Sequence, residues 1–101
     1  MATKNLKTLN WENGGNNYKF TTSGTSYDEV TLPNWAKTIT ILAKNNSIVV
    51  SYIGADGGTP VHGFPQAVDS VVQYNPMQTT DSRKIFIASQ SSTSEIHIIL
   101  E

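Results

Sequence analysis

The clearest pattern in the chain is alternation. From Thr38 to Ala43 polar and apolar positions trade places, Lys44-Asn45-Asn46-Ser47 interrupts, and Ile48–Ile53 follows. Side chains on a strand point to opposite faces in turn, so a period of two marks a strand with one buried face. A four-residue loop predicts a hairpin with 43 opposite 48, 41 opposite 50 and 39 opposite 52. Ile39, Ile41, Ala43, Ile48, Val50 and Tyr52 then share a wholly apolar face. The other face, with Thr38, Thr40, Leu42, Val49, Ser51 and Ile53, is mixed. A second hairpin is expected from Arg83–Ser89 and Glu95–Leu100 around Gln90–Ser94. Its five-residue loop pairs 88 with 96 and 86 with 98, so Phe86, Ala88, Ile96, Ile98 and Leu100 face one core. A one-residue shift of the loop changes those pairs. Ile85, Ile87, His97 and Ile99 face the other way. A strand apolar on both sides must be covered on both sides, which makes these four candidates for a subunit interface.

The remaining segments are shorter. Tyr18-Lys19-Phe20-Thr21-Thr22 alternates and predicts a strand. Before it, Leu6, Leu9 and Trp11 stand alone among Asn, Lys, Thr and Gly, which suggests an extended arm or an edge strand around Thr8–Glu12. Asn13-Gly14-Gly15 is a turn signal, because these residues tolerate positive φ. The stretch 54–65 holds four of the seven glycines and two of the four prolines and reads as a long irregular loop. In Gln66–Tyr74, Val68, Ser70, Val72 and Tyr74 alternate against Asp69, Val71 and Gln73, favouring a strand over a short helical turn. Asn75–Ser82 is a polar loop. The sum is about six to eight short strands with turn signals at 8–12-residue spacing. That predicts an all-β fold, a small antiparallel β-sandwich or barrel. Residues 1–17 form its N-terminal arm or edge strand, and 18–101 a single β-domain.

Composition agrees with strands. Val, Ile and Thr total 28 residues, and Ala, Leu and Met total 13. β-branched side chains suit a pleated surface and lose freedom in a helix. A chain of 101 residues buries about two-thirds of its surface on folding, enough for one core without staples. There is no cysteine, which removes disulfides and thiolate metal sites. The net charge is −1 and the basic residues are scattered, so neither nucleic acid nor an anionic membrane is an expected partner. Charged residues make up 15% of the chain, against about 25% in typical domains. Thirty-five Ser, Thr, Asn and Gln residues fill the gap. No apolar run approaches the length of a membrane span. The first residues carry lysines but no apolar run after them, so no secretory signal is expected. The sequon Asn45-Asn46-Ser47 reads as a turn.

The sequence offers little chemistry. His62 and His97 are the only histidines, and no ligands recur at the short spacing of metal sites. Asp56-Gly57-Gly58 lacks the acidic ladder of calcium loops. Among the eight acids only Asp28 and Glu29 are adjacent, and neighbours on a strand point to opposite faces. No Gly-x-Ser-x-Gly elbow and no phosphate-cradling glycine loop is present. The expectation is a protein that is not an enzyme, with no cofactor and no metal. An exposed row of Trp35, Tyr52 and Phe64 would instead suit a carbohydrate- or receptor-binding module.

Leu32-Pro33-Asn34-Trp35-Ala36-Lys37 leads directly into the alternating Thr38–Ala43 segment. Near the end, Arg83-Lys84-Ile85-Phe86-Ile87-Ala88 leads through a Ser/Thr-rich turn to Glu95–Glu101. This arrangement resembles small β-structured virion proteins of tailed bacteriophages, of the capsid decoration (cement) type. The resemblance covers residues 32–53 and 83–101 and brings no diagnostic binding residue with it. It implies a structural virion protein, assembled in a host cytoplasm, that binds and stabilises the phage head. The implied partners are the major capsid protein and further copies of the chain, as a trimer or dimer. The arm would then add a strand to a neighbour's sheet edge. Leu6, Leu9 and Trp11 would be its partner-binding anchors.

Overall fold

A computed structural model describes residues 16–33, 35–51, 63–75 and 84–101 in full, and the backbone of Thr3–Asn5, Ala55–Asp56 and Thr59–Pro60. The strands in chain order are β1 (Thr3–Asn5), β2 (Asn17–Thr21), β3 (Asp28–Thr31), β4 (Ile39–Lys44), β5 (Ile48–Ser51) and β6 (Ala55–Asp56). They continue as β7 (Thr59–Pro60), β8 (Phe64–Gln66), β9 (Val71–Tyr74), β10 (Lys84–Ser89) and β11 (Glu95–Leu100). One sheet has the order β1-β3-β10-β5-β8 and the other β2-β11-β4-β9, while β6 and β7 pair with each other. Every pairing is antiparallel except that of β1 with β3.

The pairings are nested. β2 pairs with β11, β3 with β10, β4 with β9 and β5 with β8. One long hairpin has in effect been rolled over itself, so consecutive strands fall in opposite sheets. This is the jelly-roll arrangement of an all-β sandwich. Four connections cross between the sheets at one end: β2–β3, β4–β5, β8–β9 and β10–β11. Asn45, Asp69 and Ser92 take positive φ of 76°, 64° and 58° at three of these crossings.

Both expected hairpins are therefore corners rather than hairpins. β4 pairs with β11 and β9, not with β5, and β10 pairs with β3 and β5, not with β11. Ile39, Ile41 and Ala43 do share a core with Ile48 and Val50, but they meet it from opposite sheets. The stretch 54–65 is also more regular than expected, with β6, β7 and the start of β8 inside it. Pro65 fits there because β8 is an edge strand, where a missing N–H costs no ladder bond. In 66–74, Gln66 ends β8 and the second strand is confined to β9, after a turn in which Ser70 Oγ donates to Ala67 O at 2.6 Å.

The core lies between the two sheets. β11 contributes Ile96, Ile98 and Leu100, β4 contributes Ile39, Ile41 and Ala43, and β10 contributes Ile85 and Ile87. All are essentially unexposed. The crossing end is closed by uncharged polar groups. Ser94 Oγ donates to Asn46 O at 2.8 Å, and Ser94 N donates to Thr22 Oγ1 at 2.9 Å. Asn46 Nδ2 donates to Thr93 O at 2.7 Å, and Gln90 Nε2 donates to Ile48 O at 2.9 Å. The Ser, Thr, Asn and Gln of the composition thus satisfy corner backbone groups that no ladder reaches.

Candidate functional site

The two sheets differ on their outer faces. Outside β10 and β5, the chain covers itself. Tyr27 has no exposed surface and packs edge-on against Phe86, with ring centroids 6.4 Å apart at 68°. Gly63 closes over Tyr27 and Val49. Burial pushes the Tyr27 phenol above its ordinary pKa, and the Ser51 hydroxyl beside it offsets part of the rise. The folded state therefore holds the proton more tightly than the unfolded state. Stability from this group is fully present below the ordinary tyrosine pKa near 10 and declines as pH rises through the folded value. Urea titrations across alkaline pH should show Tyr27→Phe losing less stability than the parent in that window. Equal loss in both proteins would remove Tyr27 as the cause.

Among the described residues nothing covers the outer face of β2-β11-β4-β9. Register places its outward residues in rows. Lys19, His97, Leu42 and Val71 form one, and Asn17, Ile99, Thr40 and Gln73 the next. Thr21, Glu95 and Lys44 form a third, toward the crossing end. Val71 is 63% exposed and Ile99 44%. Together with Leu42, Thr40 and His97 they line a shallow open depression of about 470 Å³.

The charges beside the depression are paired within the chain. Lys19 Nζ lies 3.2 Å from Glu95 Oε1, and His97 Nε2 lies 3.4 Å from the same oxygen. Lys44 Nζ lies 3.9 Å from Asp69 Oδ1. Two cations face two carboxylates, so the face sums to zero with His97 neutral. Surface pairs of this kind add little stability. Their effect is to leave a face with no strong field.

The sequence-predicted site residues are thus divided. Ile85 and Ile87 do not face a subunit interface; they are enclosed, because β10 turns them inward and Tyr27 covers its other side. His97 and Ile99 sit on the bare face of the opposite sheet. Leu42 and Val71, which complete that face, belonged to the mixed sides of their segments. Leu6, Leu9, Trp11 and Tyr52 lie outside the described residues. Trp35 is 36% exposed and Phe64 54%. Asp28 and Glu29 point to opposite faces: Asp28 is buried and accepts from Ser23 N at 2.9 Å, while Glu29 pairs with Lys84 at 3.3 Å. Among the described residues no three His, Asp or Glu side chains gather as a metal-binding group. No helix among them is long and apolar enough to cross a membrane.

No family model and no curated protein matches the chain. Solved structures do. The fold is similar to a de novo designed double-stranded β-helix determined by solution NMR, with 20% identity and a TM-score of 0.58 over 84% of this chain and 97% of that one. It is also similar to PliG of Aeromonas hydrophila, a periplasmic lysozyme inhibitor of g-type lysozyme. That likeness has 14% identity and a TM-score of 0.52 over 99% of this chain and 96% of that one. At such identities the likeness shows the fold alone. The chain is a small jelly-roll sandwich.

Proposed function

We propose that the chain is a structural virion protein of the capsid decoration type, acting as an oligomer that binds and stabilises an assembled phage head. The observation that carries the reading is the apolar patch of Leu42, Val71 and Ile99, which no described residue covers, on a sandwich whose other outer face is covered by Tyr27. An exposed cluster of apolar side chains suits a docking surface. Low charge suits the role, because few charged groups would lose water at each contact.

The mechanism is linkage. A protein that binds the assembled shell and not its dissociated subunits stabilises the shell by mass action. Many modest contacts then add through multivalency. In this reading Leu6, Leu9 and Trp11 anchor the arm on the capsid protein. The purified chain is expected to co-sediment with assembled shells of the encoding phage, not with free capsid subunits, and to raise the shell's melting temperature. Trp11→Ala should weaken shell binding by about tenfold or more, the effect of a buried aromatic anchor, with the domain's own unfolding curve unchanged. Undiminished binding by Trp11→Ala would remove the arm from the mechanism. Absence of shell binding by the parent would remove the function.

A glycan- or receptor-binding module is the second reading, favoured by the exposed rings of Trp35 and Phe64. It predicts a glycan-array signal that Trp35→Ala abolishes. A silent array rejects it.

A further inference from the structure

We draw no further inference here: the strongest candidate, the apolar patch of Leu42, Val71 and Ile99 on the outer face of the β2-β11-β4-β9 sheet, carries nothing because no observation in the structure shows what covers it.

Discussion

Replacing Gln66 with leucine is expected to destabilise the fold by about 3 kcal/mol or more, from the polar groups it strands. Gln66 is 2% exposed, on an edge strand of one sheet, and its amide reaches across to the other. Nε2 donates to Ile41 O at 2.8 Å on β4 and to Ser70 O at 3.1 Å in the β8–β9 turn. Oε1 accepts from Tyr74 Oη at 2.8 Å on β9. Leucine keeps most of the volume and removes all three bonds. The Ile41 carbonyl and the Tyr74 hydroxyl then lose partners in a buried place, each at about 1–3 kcal/mol. Ser70 O is only part-buried, and water replaces its donor. The loss corresponds to a fall in melting temperature of about 15 °C for a domain of this size. Urea unfolding with an unchanged slope reads it directly. Tyr74→Phe in the Gln66→Leu background removes a hydroxyl whose bond to Gln66 is already gone, so the double variant should lose less than the two single losses added together. A Gln66→Leu protein within about 0.5 kcal/mol of the parent, the usual scatter for an unimportant surface site, would show that packing alone joins the sheets here.

Gln66 also marks where the sequence becomes illegible. Alternation reports which face a residue occupies and says nothing about its partner strand. Ile39, Ile41 and Ala43 were readable as sharing a core with Ile48 and Val50. The loop between them serves a hairpin and a corner between sheets equally well, so the pairing was not readable. β10 fails differently. Ile85 and Ile87 alternate with Phe86 and Ala88, and both series are apolar. The choice is made by Tyr27 and Gly63, which cover the Phe86 side from distant parts of the chain. β3 was hidden because Asp28 stands at an inward position and breaks the pattern. The bare face was half legible. His97 and Ile99 stand out on an otherwise inward-facing strand. Leu42 and Val71 join them only through the β11-β4-β9 register, which is a property of the rolled topology.

Gly63→Ala is expected to lower stability by about 2 kcal/mol through crowding. An added Cβ would stand 2.1 Å from Val49 Cγ1 and 2.5 Å from Tyr27 Oη, distances that no settled structure keeps. Val49 is β-branched and its χ1 is restricted, so it yields at a cost. Tyr27 is fully enclosed and set against Phe86, so its ring shifts only by disturbing the packed outer layer of β10. The opposing tendency is real: alanine restricts the unfolded chain and gains about 0.4–1 kcal/mol wherever the folded site has room. The sign of the measured change therefore decides whether the site is closed. If crowding is the cause, Val49→Ala and Tyr27→Phe together should recover part of the loss in the Gly63→Ala background, although each trims a native contact by itself. Gly63→Ala at or above parental stability in urea would mean that the segment lifts away freely. The cover over Tyr27 would then be loose, and the contrast between a covered and a bare sheet, on which the docking argument stands, would lose its basis.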